Sequence, residues 1–356
     1  MSITKLSADV QNSIYLYFMK IKAGLFVLIL LSIALFQIAS AQSTIRHFIF
    51  FSQEREAIYD SAFYLNPNIT GAQITYPWKR LEPQKDKYDF SEIEQDLIFL
   101  ESKGKKLFIQ IQDVTFDSTF FAVPKYILTD PVYNGGVNSQ YEIGPSDKLI
   151  KAGWVARRWD PEVSERFLLL LEKLAIQFDG RIEGINLPET AVDFPEKEEL
   201  LPEGFTYKIY LDAIKKYMLA LRTDFSKSIP ILYANFMPGD SKEGLIAIYD
   251  YAREIGLGVG GPDIMVYRKF QMKNSYPLIR NMSGIVPTGM AVQDGNYSVI
   301  NPNTGKQVTI PEIYDFATNY LKLSYIFWCT EEPYYSKEVL PFIRSINDSI
   351  SFKENN

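Results

Sequence analysis

Short apolar runs recur along this chain, separated by longer stretches in which apolar residues return every three or four positions. The runs at Arg46–Phe51, Ala72–Tyr76, Lys106–Gln112, Ile182–Leu187, Pro230–Asn235, Asp263–Tyr267, Gly284–Gln293 and Ser324–Trp328 predict eight strands. Between them the pattern predicts helices. Pro161 to Phe178 gathers Val163, Phe167, Leu170, Leu171, Leu174 and Phe178 on one face. Ser91 with Glu94 and Thr309 with Glu312 read as capping boxes, Asp160-Pro161 as a helix start, and Ser336 as a cap for the last helix. Alternating strands and helices imply a parallel sheet, and eight repeats imply closure into an α/β fold, a single-domain (β/α)8 TIM barrel. A doubly wound open sheet is the alternative. The stretch from Thr115 to Trp159, rich in Gly, Pro, Tyr and Asn, is expected to be a long third rim loop that shapes a cleft.

The first residues change the domain picture. Lys20 and Lys22 precede an apolar stretch from Leu25 to Phe36, and Ala39-Ser40-Ala41 then supplies small residues of the kind a signal peptidase accepts. Residues 1–41 are therefore expected to be an upstream extension with a cleaved signal, Met19 being an alternative start, and residues 42–356 the barrel. A secreted or periplasmic location follows, with no stable membrane insertion after cleavage; an uncleaved anchor is the alternative.

Composition then removes function classes. The chain carries 37 Lys+Arg against 43 Asp+Glu, a net charge of −6, and losing Lys5, Lys20, Lys22 and Asp9 with the leader makes it more acidic still. Without a basic tract, no nucleic-acid partner is expected. One cysteine, Cys329, excludes an intramolecular disulfide, and one histidine, His47, excludes a zinc site of several His or Cys. Neither a metal nor a cofactor is expected. Gly256, Gly258 and Gly261 satisfy G-x-G-x-x-G but follow a helix and precede the expected sixth strand, the reverse of the dinucleotide-binding context. Aromatic residues make up 14% of the chain, so some should line a surface or cleft.

The segment Gly71 to Phe90, GAQITYPWKRLEPQKDKYDF, reads as a buried strand that opens into a polar and aromatic loop before a helix. Its pattern W-x-x-L-E-P-x-x-x-x-Y-D-F-S resembles the second β/α unit of the (β/α)8-barrel glycoside hydrolases that include β-galactosidases and many β-glycanases. The resemblance implies a carbohydrate substrate and a site at the carboxyl ends of the strands. Glu189 then matches the glutamic acid that protonates the leaving oxygen, with Pro188 where that family has an asparagine. The alternative is a solvated carboxylate in the first turn of the next helix.

The family places its nucleophilic glutamate at the end of strand seven, where this chain has Gln293 and Asp294. Asp294 is a candidate nucleophile or base; Asp-Gly-Asn is equally favoured turn chemistry. Glu331, with Glu332, is the next candidate. If Asp294 is the partner, its shorter side chain favours a wide gap and inversion. Trp328 matches the family's aromatic platform under the sugar, which Trp78, Trp154 and Trp159 extend. Tyr76, Arg80, Gln112, Asp113, Asn235, Tyr267 and Gln293 are the expected polar partners, beside Lys79 and Gln110. Glu189 is expected to titrate above an ordinary glutamate. The missing strand-seven glutamate supports a rival reading, a non-catalytic carbohydrate-binding pseudoenzyme. A third reading is a surface interaction protein that uses the barrel as a scaffold.

Overall fold

The computed structural model describes residues 45–145, 148–195, 201–240 and 242–351. The expected leader and its cleavage site lie outside them. Eight strands close into a barrel: β1 (Arg46–Phe50), β2 (Ile69–Pro77), β3 (Lys106–Gln112), β4 (Gly184–Leu187), β5 (Ile229–Tyr233), β6 (Gly258–Gly261), β7 (Thr288–Val292) and β8 (Tyr325–Cys329). Each pairs in parallel with the next, and β8 pairs back to β1, Arg46 opposite Tyr325 and Phe50 opposite Cys329. The fold is therefore the closed (β/α)8 barrel, and the open-sheet alternative falls.

Two apolar shells hold it together. Phe48, Phe108, Ile231, Ala291, Tyr325 and Phe327 fill the barrel, while the second side-chain set of each strand packs outward against the helices. Nearer the carboxyl ends the interior turns polar. The Gln73 amide donates to the Asn186 Oδ1 at 2.8 Å and the Tyr233 hydroxyl at 3.1 Å, and the Thr75 hydroxyl donates to Gln110 at 2.8 Å. Helix Pro161–Phe178 buries the expected apolar face behind an Asp160 cap that accepts from Glu162 and Val163.

Seven strands lie where the apolar runs predict; the sixth does not. The expected strand Asp263–Tyr267 is a loop, and β6 is the glycine run before it. A Cβ on Gly260 would sit 1.6 Å from the Gly289 carbonyl oxygen of β7, so this approach of strands admits only glycine. The G-x-G-x-x-G pattern thus belongs to a strand and the turn before it.

Capping differs at two places. Thr309 and Glu312 form their box, but Ser91 lies inside its helix and Glu94 pairs with Arg181 instead. Ser336 lies within a helical segment and donates to the Glu332 carboxylate at 2.6 Å rather than capping.

The long third rim loop carries its own small antiparallel sheet, Val114–Thr115, Val137–Ile143 and Leu149–Ala156. It is fastened to the loop after β4, because the Gln140 side chain accepts from the Asp193 amide at 3.1 Å and the Tyr141 amide donates to the Asp193 carbonyl at 2.9 Å. The hairpin is thereby fixed beside the end of β4. No helix among the described residues is long and apolar enough to cross a membrane.

Candidate active site

β4 ends at Leu187, and Glu189 follows two residues on, after Pro188. The backbone there is held from several sides. The Thr190 amide donates to the Tyr233 carbonyl at 3.0 Å, and its hydroxyl donates to the Phe236 carbonyl. Arg158 donates to the Glu189 carbonyl at 3.1 Å and to the Tyr210 hydroxyl at 2.9 Å, which in turn donates to the Thr190 carbonyl at 2.9 Å. Arg158 is itself gripped by Asp113 through a two-pronged ion pair at 2.7 and 2.8 Å, with both side chains buried.

The Glu189 carboxylate meets Asn235, from the end of β5, whose amide donates to Oε2 at 2.5 Å. Burial pushes the Glu189 carboxyl up to about 7; the Asn235 bond opposes this, the like charges of Asp263 and Asp193 add to it, and Arg158 offsets it slightly. Such a group still holds a proton near neutral pH.

Asp263 was not foreseen as a site residue. It follows the short β6 by two positions, half-buried, and burial raises its carboxyl above the usual range while the Asn296 amide, donating at 3.0 Å, favours its charged form. Asn296 also accepts from the Ile264 and Gln293 amides at 3.1 and 3.2 Å, so one asparagine ties the loops after β6 and β7 together. The sequence signal for Asp263 was its place after a Gly-Gly-Pro strand end, hidden once that segment was read as the start of a strand.

The structure brings Asp294 and Glu331 to each other. Their carboxylates and the Cys329 thiol have ligand atoms all within 4.8 Å, Asp294 is exposed, and Glu331 accepts from the Gly295 amide at 2.9 Å. Among the described residues this is the one group with metal-ligand spacing, yet burial pushes the Cys329 thiol up to about 12, which disfavours the thiolate a metal requires. Gln293, half-buried, is the first residue after β7.

Several expected sugar contacts are corrected. Trp328 is fully buried on the outer face of β8, where its Nε1 donates to His47 Nδ1 at 3.1 Å, so it presents no platform to the barrel mouth. Trp78 is fully buried against Phe167, its Nε1 donating to Glu82 at 3.0 Å. Tyr76 also points outward and donates to Asp96 at 2.6 Å. Asp113 is consumed by Arg158. Arg80 is exposed and pairs with Glu92 at 3.2 Å, at the start of the next helix. Trp159 is buried among Phe194, Phe205 and Tyr210, and Trp154 tilts over Phe121 on the hairpin sheet. Gln112 accepts from the Gln53 amide at 3.0 Å at the end of β3, and Tyr267 lies in a turn at φ 71°, its hydroxyl accepting from Asn301 at 3.1 Å.

A cleft of about 820 Å³ is lined by the chain that follows Glu189, from Ala191 to Pro195, by the chain that follows Asn235, from Phe236 to Gly239, and by the hairpin. Tyr141, Tyr207, Phe194 and Phe236 give it aromatic faces, and Glu142 and Asp193 give it acidic edges. These residues, with Arg158 and Tyr210, were not singled out from the sequence, because the rim loops that carry them have no periodic pattern.

No family model matches the chain, and no curated protein matches it. Solved structures do. The catalytic domain of β-amylase from Paenibacillus polymyxa superposes with a TM-score of 0.58 at 9% identity, covering 86% of this chain and 99% of that one. The β-galactosidase from Bacillus circulans sp. alkalophilus gives 0.52 at 9% identity, over 80% of this chain and 50% of that one. The β-galactosidase from Halorubrum lacusprofundi gives 0.51 at 10% identity, over 80% and 52%. The chain thus spans about half the length of the two β-galactosidases, and what it shares with all three proteins is the fold, the closed (β/α)8 barrel.

Proposed function

We propose that this protein hydrolyses a glycosidic bond, with Glu189 as the general acid and Asp263 as the base. The observation that carries the reading is the Glu189 carboxyl, raised to about 7 by burial just past the end of β4 and held by the Asn235 amide from just past the end of β5. A leaving-group acid needs its proton near working pH. Glu189 gives that proton to the glycosidic oxygen as the bond from this oxygen to the anomeric carbon breaks; Asp263 takes a proton from water, whose hydroxide adds to the carbon. The products are the free sugar and the departing alcohol, and solvent restores both carboxyl groups.

With Asp263 as a base acting through water, the reaction inverts the anomeric centre. This pairing requires the two carboxyl groups to stand about 6.5 to 9.5 Å apart, room for the attacking water, whereas a covalent route needs about 5 Å.

The test is a glycoside panel offered to the wild type, Glu189→Gln and Asp263→Asn, with product anomers read by NMR. Each substitution is expected to lower kcat by roughly a hundredfold or more while sugar binding persists, and the first product should be the inverted anomer. Unchanged turnover in Glu189→Gln would remove it from the mechanism. Gln293 at the end of β7, where the resembled family has its nucleophile, favours one second reading, a carbohydrate-binding protein without catalysis. That reading predicts sugar binding by the wild type with no turnover on any member of the panel.

A further inference from the structure

Resting on the glycosidase reading, we infer that Asn296 positions the base: its side-chain amide holds Oδ1 of Asp263 and leaves Oδ2 as the oxygen that takes the proton from water. The amide can face only one way. Asn296 is fully buried, and two backbone amides, those of Ile264 at 3.1 Å and Gln293 at 3.2 Å, point at the same end of it. That end must be the oxygen, because a nitrogen there would set donors against donors. The nitrogen is thereby turned to Asp263, to which it donates at 3.0 Å. Asp263 can therefore only accept on Oδ1, and a proton arriving at this carboxyl goes to Oδ2. Among the described residues no other hydrogen bond or ion pair engages the Asp263 carboxyl.

The main chain is held as firmly. Tyr276, fully buried in the helix Ser275–Met282, donates from its hydroxyl to the Asp263 carbonyl at 3.1 Å while accepting from the Met265 amide at 2.8 Å. Asp263 thus has its backbone and one carboxyl oxygen fixed by groups from two different elements. Glu189 is treated in the same way, with Arg158 on its carbonyl and the Asn235 amide on one carboxyl oxygen. The bond from Asn296 also bears on charge. Burial raises the Asp263 carboxyl, and the Asn296 amide is the larger of two influences that oppose this, the other being exposed Arg268 on the same loop. Tyr276 and Glu189 are the other titratable groups that feel Asp263. A base has to be ionised while the acid keeps its proton, so a buried aspartate in that role needs such a donor.

Asn296→Asp in the full chain separates positioning from the mere fastening of two loops. The substituted carboxylate still accepts from the Ile264 and Gln293 amides, so the loops after β6 and β7 stay tied, but it meets Asp263 with a like charge in place of a donor. The Asp263 midpoint, followed by carboxyl carbon NMR on substrate-free protein and assigned with Asp263→Asn, should rise by about one pH unit or more. In the wild type the Asn296 side-chain amide protons should shift with that same midpoint, a step absent from Asp263→Asn; this measurement needs no Asn296 variant and decides the matter if Asn296→Asp does not fold. On a substrate, the acid limb of kcat/KM should move to higher pH by the same amount, because the base works only when ionised, and turnover on that limb should fall about tenfold. An Asp263 midpoint that does not rise in folded Asn296→Asp, or Asn296 amide protons indifferent to the titration of Asp263, overturns the inference whatever the turnover. If both behave as expected and no glycoside is cleaved, Asn296 still positions Asp263, and the glycosidase reading alone falls.

Discussion

A group that keeps a proton at neutral pH against its nature destabilises the fold that holds it, and this makes the state of Glu189 measurable without any substrate. Its carboxyl is raised from an ordinary 4.5 to about 7, chiefly by burial. The folded protein therefore binds more protons than the unfolded chain between those values, and stability falls as pH rises through that window. Below pH 4.5 the group is neutral in both states and contributes nothing; above 7 the whole cost is present. One pKa unit corresponds to about 1.4 kcal/mol, so the shift corresponds to about 3 kcal/mol. Glu189→Gln removes the titration while keeping the size of the side chain and an oxygen for the Asn235 amide. Against the wild type it should be nearly neutral at pH 4.5 and more stable by about 3 kcal/mol at pH 8, roughly 5 °C in Tm for a domain of this length. The assay is thermal or urea unfolding of both proteins at half-unit steps from pH 4.5 to 8.5. A stability difference that stays constant across that range would show that Glu189 titrates like an exposed glutamate, and the acid role would go with it.

Two further expectations follow from the residues around the site. Asp113→Asn should destabilise the protein by about 3–5 kcal/mol, because it strands the buried Arg158 guanidinium; urea unfolding reads this, and a loss under 1 kcal/mol would contradict it. Trp328→Phe loses the bond to His47 and should cost about 1 kcal/mol while leaving sugar affinity unchanged; a weakened affinity would return Trp328 to the site.

The architecture was legible because seven strands announce themselves as apolar runs, and a parallel barrel strand is apolar on both sides. That same property hid which way the aromatic residues point. On β8 Phe327 faces the interior and Trp328 faces the helices; on β2 Gln73 and Thr75 face inward and Tyr76 outward. On β8 both faces are apolar, so no alternation sets the phase, and on β2 the polar positions Gln73 and Thr75 face the barrel interior, so Tyr76, the next residue on, lies against the helices rather than at the mouth. β6 was missed for the opposite reason: its glycines carry no hydrophobic signal, and the need for them arises only when Gly289 of the neighbouring strand is in place. Glu189 could be proposed by strand order alone. Its supports could not, since Asp113, Arg158 and Tyr210 are joined only by the folded chain.

The Asp113–Arg158 pair shows how geometry and proton affinity can be set separately at one residue. The backbone of Glu189 needs a rigid donor, and a guanidinium offers several in one plane. An unpaired arginine so close would also draw the Glu189 carboxyl down and leave it ionised at neutral pH, useless as an acid. Asp113 pairs with that charge at 2.7 Å, so Arg158 holds the Glu189 carbonyl at 3.1 Å as half of a buried ion pair, and burial of the Glu189 carboxyl outweighs its pull. Tyr210 extends the same neutral frame to Thr190. An aspartate that reads in the sequence as a sugar contact thus serves, one residue removed, to let Glu189 keep both its position and its proton.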